Sequence, residues 1–106
     1  MNESKAREDL FWDLAQELYG DPAVTRSTMM GYPCLRANGV FFASLERGAG
    51  HLILKLSRDR VQALIADGEG LPFAPNGRVF REWVAVPHAD EDRWRALLAE
   101  ALANAG

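Results

Sequence analysis

The sequence predicts an α+β domain in the order α-β-β-β-α-β-β-α, with a mainly antiparallel sheet of about five strands packed against helices. Three observations carry this. Apolar residues recur at helical spacing in three stretches: Leu10, Phe11, Leu14 and Leu18; Val61, Leu64 and Ile65; Trp94, Leu97, Leu98 and Ala101. Between them, Leu52, Leu54 and Leu56 alternate with His51, Ile53 and Lys55, the period of a strand with one covered and one partly wet face. Asn38-Gly39 tolerates the positive φ angles of a type I′ turn, which fixes the register of a hairpin.

The first helix is expected over Ser4 to Tyr19, with Ser4 as its cap and Gly20-Asp21-Pro22 as its stop. Trp12 falls beside its apolar stripe. A first strand is expected at Thr28 to Met30, continuing past a bend at Gly31-Tyr32-Pro33 into Cys34 to Ala37. Proline lacks a donor, so Pro33 belongs at an edge, a bulge or a strand start. Val40 to Leu45 pairs back across the Asn-Gly turn. The turn Arg47-Gly48-Ala49-Gly50 leads to the strand His51 to Leu56. Ser57 is a natural N-cap for the second helix, which Gly68 ends. Leu71-Pro72-Phe73 then leads through Pro75-Asn76-Gly77 to Arg78-Val79-Phe80, and Glu82 to Val86 forms the final strand. The last helix starts near Asp90, where Glu91 and Asp92 favour its positive end.

With 106 residues, 48% of them hydrophobic and 25% charged, the chain has the size and balance of one soluble domain, residues 1–106, with one core. No apolar run approaches the roughly 20 residues that span a bilayer, and the charged N-terminus is unlike a secretory signal. One cysteine makes no internal disulfide, so the expected location is the cytoplasm.

Charge is uneven along the chain. Residues 1–21 carry two basic against six acidic side chains, residues 22–81 eight against four, and residues 82–106 two against five. Pairing of the acidic ends with the basic middle is the plain expectation. A basic face that meets an anionic partner is the alternative.

Candidate sites are few. Cys34 is the lone thiol, with Arg36 on the same strand face, yet no protease or phosphatase signature surrounds it. A buried structural cysteine is the expectation. His51 and His88 sit in no spaced ligand motif, so neither a metal nor a cofactor is expected. Arg78 and Arg81 follow a glycine turn and could clamp an anion through their planar forks. Surface ion pairs, with Glu82 adjacent, are the expected role. Met29, Met30, Tyr32, Phe41, Phe42 and Trp83 suit either an adaptable contact surface or the core of a small sheet.

The segments Met30-Gly31-Tyr32-Pro33, Asn38-Gly39 with Phe41-Phe42-Ala43, and Leu52-Ile53-Leu54-Lys55-Leu56 resemble the N-terminal domain of the TfoX/Sxy family. Gly77 to Pro87 resembles the late "GrpmreWv.vP" segment of its stand-alone members. The resemblance covers about residues 25–104, and the MmcQ/YjbR-like group is the nearest alternative. It implies an α+β fold and a role like that of regulators of competence genes. Full-length members carry a second, helical C-terminal domain, and this chain ends at Gly106 short of one. Lys55 matches the family's strand lysine and Arg78 its late arginine, and neither inherits a catalytic role.

The expected function is therefore a non-enzymatic interaction or regulatory module with a protein partner or self-association, and with no membrane. Its expected contact residues are Met30, Tyr32, Cys34, Arg36, Lys55, Arg78 and Arg81. Two alternatives are nucleic-acid binding through the basic middle and a small-ligand or enzymatic site around Cys34, Lys55 and Arg78.

Overall fold

Three helices cover one face of a six-stranded antiparallel sheet in the computed structural model, which describes residues 3–29, 31–46 and 48–105. The elements are α1 (Glu3–Leu18), β1 (Val24–Met29), β2 (Tyr32–Ala37), β3 (Val40–Leu45), β4 (Leu52–Lys55), α2 (Arg58–Ala66), β5 (Leu71–Pro72), β6 (Trp83–Val86) and α3 (Glu91–Ala105). The strands lie in the order β1-β2-β3-β4-β6-β5. The α+β architecture agrees with the sequence reading.

The strand count differs for a local reason. The expected first strand is two strands, because the chain reverses before Tyr32 and Met29 stands opposite Tyr32 across a two-residue loop. Gly31 takes φ 83° there, a conformation that glycine adopts without strain. Met30, the other loop residue, lies outside the described residues, as does Arg47 of the later turn. Pro33 sits one residue into β2, a strand start. Residues 78–80 form no strand, and the short edge strand is Leu71–Pro72. Helix α1 takes in Ser4 rather than starting after it.

The Asn38-Gly39 turn forms as expected, with φ 53° and 82°, and sets Ala37 opposite Val40. Two residues further, Leu35 faces Ala43 while Arg36 faces Phe41, so Phe42 is an extra residue in β3. This bulge sends Phe42 and Ala43 both to the core and leaves Phe41 on the other face.

The core joins Phe11, Leu14 and Ala15 of α1, Val61 and Leu64 of α2, and Trp94, Leu97, Leu98 and Ala101 of α3 to one set of strand residues. Leu52, opposite Leu45 and Val86, and Leu54, opposite Ala43 and Val84, form two rows of that set. Trp94 is fully buried and donates its indole Nε1–H to the His88 carbonyl at 2.7 Å, so its one polar atom is satisfied. Ser57 caps α2 through Arg60 N, and Asp90 caps α3 through Arg93 N at 3.0 Å. Arg7 reaches from α1 to the carbonyls of Gly50 (3.2 Å) and Pro87 (2.7 Å), tying two loops to the helix.

Forked arginine–carboxylate pairs join the helical layer. Arg60 binds Glu100 between α2 and α3, Arg93 binds Glu69 at 2.6 and 2.8 Å, and Arg95 binds Glu17 between α3 and α1. Of these, Arg60–Glu100 joins a base of the middle stretch to an acid of the C-terminal one, as the charge distribution suggested, whereas Arg93–Glu69 runs the other way and Arg95–Glu17 joins the two ends. Hydrogen bonding from Arg93 and Arg95 holds the Glu69 and Glu17 carboxyls below their usual range.

The edge strand β1 is polar, and Arg26, opposite Leu35, points to the core side and lies 4.1 Å from the Trp12 ring centroid. A charge on the inner side of an edge strand discourages pairing with another chain.

Candidate functional site: the uncovered sheet face

The sheet face away from the helices is built on one row of directly opposed residues crossing all six strands: Ser27, Cys34, Ser44, Ile53, Ala85 and Leu71. Cys34, Ser44, Ile53 and Ala85 are buried although no helix covers them. They are short, and longer side chains stand around them. The Cys34 thiol is fully buried and lies 3.3 Å from the Ser44 hydroxyl, which donates to the Pro33 carbonyl at 2.9 Å. Cys34 is thus an interior side chain, as expected, and a thiol so enclosed is poorly placed for nucleophilic chemistry.

Above this floor stand rings and cations. Tyr32, Ser44, Glu46, Ile53, Phe73 and Trp83 enclose a shallow depression with a cavity volume of about 70 Å³. That lies well below the roughly 300–1,000 Å³ of small-molecule pockets, so its size suits one side chain rather than a metabolite. On one flank, Lys55 is directly opposite Trp83. On the second, Phe73 packs on Trp83 (6.3 Å between centroids) and on Phe80 (6.0 Å), and the Arg78 guanidinium lies 5.7 Å from the Phe80 ring centre. Elsewhere on the same face, one pleat along from Cys34, Arg36 lies 4.2 Å from the Phe41 ring centre. Arg36 and Arg78 thus each hold a guanidinium near an aromatic ring.

Among the described residues, none of Arg36, Lys55, Arg78 and Arg81 takes part in a salt bridge. The ion pair expected for Arg81 and Glu82 therefore does not form, and Arg78 stacks rather than pairs. The Arg36 Nε is shielded from water without a hydrogen-bond partner. The acid of this face, Glu46, already accepts from Gly48 N (2.9 Å) and Ala49 N (2.7 Å).

The face thus gathers Tyr32, Arg36, Lys55 and, through its ring contacts, Arg78. Cys34 lies beneath it, Arg81 is exposed in the loop before β6, and Met30 lies outside the described residues. Phe42 belongs to the core, whereas Phe41 and Trp83 belong to this face. Phe73, Phe80, Ile53 and Glu46 were not anticipated as part of it. The alternation of Ile53 with Leu52 and Leu54 signals its outward side, but nothing local in the sequence brings Phe73 and Phe80 there.

Among the described residues, no group of three or more His, Cys, Asp or Glu side chains gathers as a metal ion requires, and no helix is long and apolar enough to cross a membrane. Compared with protein-family models, with curated proteins and with solved structures, the chain matches none.

Proposed function

We propose that this chain is a non-enzymatic interaction module that binds a protein partner through the uncovered sheet face. The carrying observation is the arrangement of that face: the three helices pack on the other side, leaving aromatic rings around an apolar depression and arginines stacked on further rings of the same face. Aromatic and arginine side chains are the residue types enriched at protein interfaces, and Tyr32 and Phe80 are each 39% exposed. The resemblance to the N-terminal domain of TfoX-like regulators supports the same reading. The enclosure of Cys34 and the small size of the depression weigh against an enzymatic role.

A second reading, binding of single-stranded nucleic acid, draws on the interleaving of cations with rings at Arg36–Phe41 and Arg78–Phe80. The depression disfavours it, since it holds one side chain and offers a base little beyond apolar walls.

Photo-crosslinking in living cells tests the proposal. A photoreactive residue at Tyr32 or Phe80 is expected to give protease-sensitive adducts of higher mass, and one at Gln16 or Gln62 on the helical side is not. Adducts from the helical positions alone, or nuclease-sensitive adducts from the sheet face, contradict the proposal.

A further inference from the structure

We infer that the occupant of this face is an acidic polypeptide segment that places one apolar side chain in the depression, with carboxylates on either side meeting Lys55, Arg36 and Arg78. This rests on the protein-interaction reading above and names the chemistry of the partner. Size is the first argument: a cavity of about 70 Å³, bounded by Ile53, Phe73, Trp83 and Tyr32, holds a single aliphatic side chain. Burial of one such side chain is the usual anchor of a peptide contact, and the surrounding groups keep water from it.

Charge is the second argument. The helical layer binds its own arginines: Arg60, Arg93 and Arg95 each hold a carboxylate. Among the described residues Lys55, Arg36 and Arg78 hold none, and on this face they outnumber Glu46, whose carboxylate is bonded to two loop amides. The face therefore presents positive charge toward whatever covers it, and an acidic segment is its electrostatic complement. A two-fold contact would set two faces of the same net positive charge against each other, which opposes a symmetric dimer on this surface. A nucleic acid would supply negative charge too. Yet the depression offers a base little beyond apolar walls, since the Ser44 hydroxyl is already bonded to Pro33.

The test uses the whole chain and three probes: a synthetic peptide with one leucine flanked on each side by three aspartates, the same peptide with serine in place of leucine, and an oligothymidylate. Binding is read by fluorescence anisotropy and by amide chemical-shift mapping. The leucine peptide is expected to bind, shifting the amides of β3, β4 and β6. Its affinity is expected to fall by about tenfold with serine for leucine, and by a similar factor in Lys55→Glu or Arg36→Glu. Both residues are half-buried, and an unchanged thermal midpoint shows that the fold is kept. Equal affinity for the serine peptide overturns the apolar anchor. Tighter binding of the oligothymidylate, or self-association that occludes the face, overturns the acidic-peptide assignment. If no probe binds while sheet-face crosslinks to protein persist in cells, this inference fails and the interaction reading stands.

Discussion

Arg36 and Phe41 stack on the sheet face opposite the helices, with the guanidinium carbon 4.2 Å from the ring centre, because a bulge at Phe42 brings Phe41 onto that face. The same bulge supplies Phe42 to the core. One inserted residue thus serves both faces of β3, and restoring regular alternation would send one of the two phenylalanines to the wrong side. Deletion of Phe42 is expected to lower the thermal midpoint sharply. A deletion variant as stable as the parent chain would refute this account of the bulge.

Ser44 links the floor of the face to β2. Its hydroxyl meets both the Pro33 carbonyl and the Cys34 thiol in a buried place, so Ser44→Ala is expected to destabilise the chain by about 1–2 kcal/mol in urea denaturation. Cys34 should resist a thiol-specific reagent in the native chain and react at the rate of unfolding. Fast stoichiometric labelling without unfolding would show that the thiol is open.

Two glycines with similar backbone angles should differ in what they tolerate. Gly39 has φ 82° and open space where a Cβ would sit, so Gly39→Ala meets backbone strain alone, about 1 kcal/mol. Gly50 has φ 75°, and its added Cβ would lie 2.5 Å from the Arg7 Cδ. Gly50→Ala must also displace the side chain that holds the Gly50 and Pro87 carbonyls. It is expected to be the more costly of the two by equilibrium unfolding, and the reverse order would contradict the role given to Arg7.

Acid sensitivity follows from the helical ion pairs. The folded-state pKa of Glu69 is lowered from 4.5 by hydrogen bonding from Arg93, so the unfolded chain takes up the proton first as pH falls. The pair's contribution is complete above the unfolded value and is lost as pH drops through the folded one. The urea midpoint should therefore hold from neutrality to about pH 5 and decline below it, with Glu69→Gln flattening part of the decline. Both side chains are more than a third exposed, so the effect is small and should shrink in high salt. A Glu69→Gln variant with the parent chain's full acid dependence would remove the pair from the explanation.

The layout of the fold was legible where local chemistry is strong. Asn38-Gly39, the Leu52–Leu56 alternation and the Ser57 cap each act through near neighbours, and each stands where it was expected. The strand Val24–Met29 was missed in part because its polar sequence lies at an edge, where no apolar alternation is required. The bulge at Phe42 has no marker, since a phenylalanine suits either face. The uncovered face was legible in its residue types and not in its assembly. Arg36, Lys55 and Arg78 are expected from the sequence as contact residues, but only the sheet register and the Phe73–Phe80 contact show how they come to one face.

The central claim is that a protein covers this face in the cell, and side-chain oxidation footprinting measures that most directly. The oxidation rates of Tyr32 and Phe80 in living cells, compared with those of the purified chain, should fall several-fold, while Trp12 and Tyr19 beside the helices keep theirs. Tyr32 and Phe80 oxidised as fast in cells as in the purified chain would contradict the account.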